Sequence, residues 1–189
     1  MSNWPPLLNV GERTWDSKGS ICRPSDKYNE QRAITILVSR FPSMRQYEYV
    51  PDPHPFGPID GQWRSESGSK LVAFSEIKSH AGRTMGSTTI LNLRKWDVMD
   101  LLQQSTSVPV LFIAQYENAV AFQNMKELGR ITSTFTSQFI TDTKSAHRIT
   151  STEEVWKIPT DKMRIIKPED AVITEADLKI LNGLAADIT

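Results

Sequence analysis

The stretch Gly57-Pro58-Ile59-Asp60-Gly61-Gln62-Trp63, followed after a polar turn by Leu71-Val72-Ala73-Phe74-Ser75-Glu76-Ile77-Lys78, decides how this chain is read. Side chains alternate along a strand, so Glu76 and Lys78 share one face while Ile77 enters the opposite layer. A carboxylate and an ammonium at the end of an apolar strand are costly to bury and poorly explained by packing. The turn Ser65-Glu66-Ser67-Gly68-Ser69 makes the two segments a hairpin and brings Asp60 beside them. Two carboxylates and one lysine then converge. Such a cluster can hold a hard divalent cation and activate water against a phosphodiester.

Upstream, residues 1–24 carry Pro5, Pro6, Gly11, Gly19 and Pro24 and read as an irregular arm. A helix follows from Ser25 or Asp26 to about Arg40, where Pro42 stops it. Ala33, Ile34, Leu37, Val38 and Phe41 form its apolar stripe, and Glu30 shares that inward face. Residues 45–50 alternate as a first strand, before a stiff Pro51-Asp52-Pro53-His54-Pro55 loop. The hairpin strands cover about 58–64 and 70–78. Ser87 or Thr88 is expected to cap a second helix running to about Gln104. Residues 108–114 read as a buried strand, paired by 119–122. The order is helix, three strands, helix, strand, which predicts an α/β fold with a central mixed sheet flanked by helices. Beyond 128, segments 131–140 and 145–158 fit further strands, and 162–167 a connector or edge strand. Thr174 with Asp177 opens a closing helix bearing Leu178, Leu181 and Leu184. The organisation expected is one domain: the arm, a core over 25–128, and a β-rich C-terminal extension over 129–189.

Bulk composition narrows the function classes. A chain of 189 residues suits one sizeable core. Its 22 basic and 22 acidic residues cancel, which argues against a passive nucleic-acid coat. Neutrality is compatible with a nuclease, because a bound cation supplies positive charge where phosphate must sit. Cys22 is the only cysteine, so an intrachain disulfide and a Cys-rich metal site are excluded. With no signal-like N-terminus and no membrane-length apolar run, a cytoplasmic protein is expected. The histidines at 54, 80 and 147 are too scattered for a zinc hydrolase.

With the helix-strand-strand-strand-helix-strand order around them, Asp60 and Glu76-Ile77-Lys78 resemble the PD-(D/E)XK, or restriction-endonuclease-like, nuclease superfamily. The resemblance spans residues 25–123, although Ile59 separates Pro58 from Asp60. It implies that Asp60 and Glu76 coordinate magnesium, that the Ile77 carbonyl adds a ligand, and that Lys78 orients or deprotonates the attacking water. It also implies a catalytic acidic residue on the first helix, where Glu30 stands, and DNA contacts from the second helix, where Arg94 and Lys95 stand. Manganese would substitute for magnesium. Leu93-Arg94-Lys95-Trp96 and Val155-Trp156-Lys157-Ile158-Pro159 are similar to segments of small bacteriophage nucleases, whose setting is the host cytoplasm.

Physical chemistry supports parts of that implication. Magnesium keeps several waters, so two carboxylates suffice when phosphate oxygens complete its shell. Neighbouring carboxylates favour the charged form of a lysine, so Lys78 reads as positioning and stabilising rather than as a free base. Competing readings stand beside each residue. Asp60, Glu76 and Lys78 would otherwise be a surface ion pair, Glu30 a helix-dipole residue, and Arg94 and Lys95 a solvated face. Trp63 and Trp96 suit core packing or base stacking. The function expected is magnesium-dependent hydrolysis of DNA, endonuclease before exonuclease. The alternatives are an RNA substrate or a non-catalytic binding module, and a homodimer would suit double-strand cleavage by symmetry.

Overall fold

Asp60 ends up beside Glu76 because a six-stranded sheet places the hairpin at its centre. The computed structural model describes residues 4–10, 14–15, 21–22, 25–52, 59–144 and 149–188. Residues 53–58, with His54, and His147 lie outside them. In chain order the elements are β1 (Thr14–Trp15), β2 (Ile21–Cys22), α1 (Ser25–Arg40), β3 (Tyr47–Pro51), β4 (Gly61–Ser65) and β5 (Leu71–Ser79). Then come β6 (Thr88–Asn92), α2 (Leu93–Thr106), β7 (Val110–Gln115), β8 (Val120–Asn124) and α3 (Met125–Gly129). The chain closes with β9 (Thr136–Lys144), β10 (Ile149–Pro159), β11 (Arg164–Ile166) and α4 (Glu175–Ala186). The central sheet runs β11-β8-β7-β5-β4-β3, with β5 and β7 parallel and every other pair antiparallel. This is an α/β fold with a mixed sheet.

Strand alternation splits the core into two layers. Phe74 joins Trp96, Met99, Phe112, Met125 and Ile158 on the α2 and α3 side. Ala73 and Ile77 join Ile34, Leu37, Trp63 and Ile113 on the α1 side, with Leu178 of α4 against them. Burial of these side chains, at roughly 25 cal/mol per Å² of apolar surface, drives the assembly. A second sheet, β6-β10-β9, covers the α2 layer. No helix among the described residues is long and apolar enough to cross a membrane.

Several elements differ from the sequence expectation: Met125–Gly129 is a helix, and the strand expected over 131–140 begins at Thr136 behind a 3-10 turn at Thr132–Thr134. Thr88–Asn92 is a strand rather than the start of a helix, because its β-branched residues pair with Val155–Pro159 of β10. The helix starts one element later, where the Asn92 side chain accepts from the Arg94 N–H at 2.8 Å. The first strand begins at Tyr47 because Pro42–Gln46 forms a 3-10 turn. By contrast α1 has the expected bounds, and α4 begins with the expected capping box of Thr174 and Asp177.

The N-terminal arm is tied to α1 rather than loose along residues 4–8. Arg32, fully buried, donates to the Pro5 carbonyl at 2.6 Å and to Gln115 Oε1 at 2.9 Å. Asn29 exchanges two hydrogen bonds with the Leu8 backbone. These bonds fix the rotation of α1, and with it the direction of Glu30.

Gly61 opens β4 under the ring of Tyr49, which packs edge-on to Trp63 with centroids 5.3 Å apart. A Cβ at residue 61 would overlap the Tyr49 ring tip. Gly61→Ala is therefore expected to destabilise the fold by about 1–3 kcal/mol through overpacking. Urea unfolding checks this, and an unchanged midpoint would mean that Tyr49 moves aside freely.

Candidate active site

Asp60 sits where β4 begins, locked to the edge of β5. Its N–H donates to the Ser75 carbonyl at 2.9 Å, its own carbonyl accepts from the Asp52 N–H at 2.7 Å, and its Oδ2 accepts from the Ile77 N–H at 2.5 Å. The last ladder pair between the two strands is Gly61 with Ser75. In a strand the N–H and C=O of one residue leave on the same edge. The Ile77 carbonyl therefore points to the same edge of β5 as the N–H that donates to Asp60. Glu76 follows the opposite face, is 6 % exposed, and accepts from Lys95 Nζ at 2.9 Å. Lys78 lies on that same face one pleat on, and is exposed.

The electrostatics mark these groups as one centre. Burial, reinforced by Asp60, pushes Glu76 up to about 7, against the pull of Lys95 and Lys78. Burial first, then Asp60, Asp26 and Glu76, pushes Glu30 up to about 8. Asp60 is also raised by burial, opposed by its Ile77 hydrogen bond, Lys95 and Lys78. The Tyr49 hydroxyl, raised by burial and then by Glu30, Asp60 and Glu76, borders the same centre. Carboxylates crowded this way, with their pKa values displaced, are typical of sites built for a cation or for proton transfer.

The neutral forms of Glu30 and Glu76 favour the fold, because each folded pKa lies above its ordinary value of 4.5. That contribution is fully present below 4.5 and is lost as pH rises through about 7 and about 8. In a chelator the protein should thus lose stability between about pH 5 and 9, and Glu30→Gln or Glu76→Gln should flatten the loss. A divalent cation should narrow it, by holding the ionised carboxylates. Melting curves across that window test the sign, and stability that climbed with pH would contradict it.

The donor set suits a hard cation. Among the described residues no three His, Cys, Asp or Glu side chains are grouped so that they could hold a metal ion. Asp60, Glu76 and the Ile77 carbonyl would offer oxygen donors, the ligand type that magnesium takes while keeping waters in its shell.

Asp60 thus contacts the Ile77 backbone, and Glu30 and Lys78 lie within electrostatic range of Asp60 and Glu76. Lys95, read from the sequence as a DNA contact, reaches Glu76 instead. Its partners on α2 explain why: Lys95, Met99 and Leu102 recur at i, i+4 and i+7, so Lys95 faces the sheet. That spacing was the available signal. Arg94 is exposed, and the cations acting on Asp60 and Glu76 are Lys95 and Lys78. Trp63 and Trp96 are core residues at 1 % and 8 % exposure, with Trp63 Nε1 donating to Ser75 Oγ at 2.7 Å. His80 stacks on Tyr116 with centroids 4.6 Å apart; burial, then Lys78 and Arg83, depress it to about 4. It is neutral at ordinary pH.

No protein-family model matches the chain, and no curated protein does. Among solved structures it is similar to D212, a nuclease from a fusselovirus, with 13 % identity and a TM-score of 0.45. That match covers 90 % of this chain and 99 % of D212.

Proposed function

We propose that this protein is a magnesium-dependent nuclease of PD-(D/E)XK type that hydrolyses DNA phosphodiester bonds, with internal cleavage preferred over cleavage from ends. One observation carries the reading: the Ile77 N–H pins the Asp60 carboxylate at the strand edge next to buried Glu76, 2.5 Å from Asp60 Oδ2 to that N–H. In this reading Asp60, Glu76 and the Ile77 carbonyl hold the cation, which when bound would lower the pKa of a coordinated water and offset charge on the phosphate. Lys78 projects from the same face as Glu76 and orients the attacking water or a phosphate oxygen. Lys95 holds Glu76 in place. Glu30, on the α1 side, adds a further acidic group, and Arg94 meets the DNA backbone from the exposed face of α2.

A non-catalytic binding module is the second reading. It is favoured by the Lys95–Glu76 ion pair, which satisfies Glu76 with no cation. Covalently closed supercoiled plasmid separates the two, since it has no ends. The nuclease reading expects nicking with magnesium or manganese and a loss of at least about 10³-fold in chelator. If plasmid, single-stranded, duplex and branched DNA all survived magnesium and manganese, the binding module would be the correct reading. RNA oligonucleotides in the same assay establish which sugar the site accepts.

A further inference from the structure

On the α1 side of the sheet, with Tyr49 in its wall, lies an open, cleft-like cavity of about 390 Å³ bounded by α1, the 3-10 turn at Pro42–Gln46, β3, β4 and the first turn of α4. Tyr47 and Tyr49, at alternate positions of β3, face it together, and Trp63 of β4 lies between them and the core. Gln31, Arg45 and Asp177 supply the polar groups. The volume lies within the roughly 300–1,000 Å³ range of small-ligand sites, and aromatic walls with a few convergent polar groups are their usual lining.

The lining favours one chemistry. Aromatic side chains offer faces on which any nucleobase stacks. Gln31 has both a donor and an acceptor for a base edge, and its only side-chain hydrogen bond among the described residues is a long one of 3.5 Å to Thr35. Arg45 is exposed at the rim, where a strand phosphate would pass. Asp177 is engaged in the α4 capping box and serves as wall rather than reader. Tyr49 is shared between cavity and cleavage centre, since its hydroxyl lies in the field of Glu30, Asp60 and Glu76 while its ring lines the cavity. Gln31 likewise follows Glu30 on α1. A nucleotide flanking a phosphate at Asp60 would therefore have this cavity within reach of its base.

We infer that the cavity is a nucleobase subsite holding an unpaired base of the strand whose phosphate lies at Asp60. Its position relative to the chemistry rests on the nuclease reading; the stacking site itself does not. A base inside a duplex is stacked and paired, so the substrate class this selects is single-stranded or locally unpaired nucleic acid: bubbles, flaps and branches.

The test measures binding of a dye-labelled single-stranded oligonucleotide and of its blunt duplex by fluorescence anisotropy in chelator, then cleavage of both with magnesium. Tyr47→Leu should weaken single-strand binding by about tenfold and leave the duplex unchanged, while Tyr47→Phe, which keeps the ring, should bind as wild type. Arg45→Ala, at an exposed position, should reduce the logarithmic salt slope by about 0.7. This variant carries the test should Tyr47→Leu melt early. Single-strand affinity unchanged in Tyr47→Leu, or a salt slope unchanged in Arg45→Ala, would overturn the subsite. Tyr47-dependent binding without any magnesium-dependent cleavage would keep the base site and remove the nuclease. Cleavage indifferent to Tyr47 would do the reverse.

Discussion

Asp60→Asn should reduce magnesium-dependent cleavage by at least about 10³-fold and at the same time make the protein more stable in chelator. Both effects come from one charge. Asparagine has the same shape and keeps an oxygen for the Ile77 N–H, so the strand edge should stay closed. What is lost is a half-buried negative charge that burial disfavours and that itself raises Glu30 and Glu76. Removing it relieves a desolvation cost and a like-charge repulsion, while removing one of the two carboxylates available to a cation. A gain of about 1 kcal/mol would raise the melting temperature by roughly 2–4 °C in a chain of this size. The magnesium-induced rise in melting temperature should vanish in the same variant. Melting curves with chelator and with magnesium, beside plasmid nicking, check all three. Full nicking activity in Asp60→Asn would eliminate the proposed centre. A large fall in its melting temperature would mean that Asp60 is a structural anchor.

The opposed effects also explain why parts of this site were legible in the sequence and parts were not. Local patterns transmitted well. The α1 stripe from Ala33 to Phe41 with Pro42 behind it, the apolar run into Glu76-Ile77-Lys78, and the turn at Gly68, whose φ is 67°, each encode their structure within a few residues. Glu30 was readable because it lies one turn before Ile34 on the inward face. Long-range pairing was not readable. Thr88–Asn92 looks like a capped helix start until Val155–Pro159 arrives from more than 60 residues away to pair with it. The inward direction of Lys95 was readable from its spacing with Met99 and Leu102, but its partner was not, because only the folded sheet brings Glu76 to it. With the cap at Asn92, Lys95 falls in the first turn and points to Glu76. The buried Arg32 was equally silent, because its partners are backbone carbonyls of the arm and of Tyr116 together with the Gln115 side chain, 83 residues further along the chain. The cavity behind Tyr49 needed α1, the Pro42–Gln46 turn, β3, β4 and α4 in place before Tyr47 and Arg45 shared one surface.

The two lysines nearest the carboxylates should fail in different ways. Lys78 is exposed on the Glu76 face and has no ion-pair partner among the described residues, so its ammonium is available to water or phosphate. Lys78→Met should lower the cleavage rate by about 10²–10⁴-fold, the range of a positioned charge or proton-transfer group, while the magnesium-induced melting shift persists. Lys95 acts through Glu76. Its hydrogen bond at 2.9 Å opposes the burial and the Asp60 charge that lift the Glu76 pKa to about 7. Losing a charge-assisted bond of that kind should lift Glu76 further, by about one to two pH units. The rate profile of Lys95→Met should therefore move to alkaline pH by that amount, with weaker cation binding at neutral pH and activity partly regained near pH 9. Lys95→Arg should restore the neutral rate, because it returns a cation to Glu76. Rate–pH profiles of the three variants, beside magnesium titrations followed by melting temperature, separate the roles. Should Lys78→Met cleave normally while Lys95→Met stays inactive at every pH, the water-orienting lysine would be the one on the helix, and the strand lysine would be a surface charge.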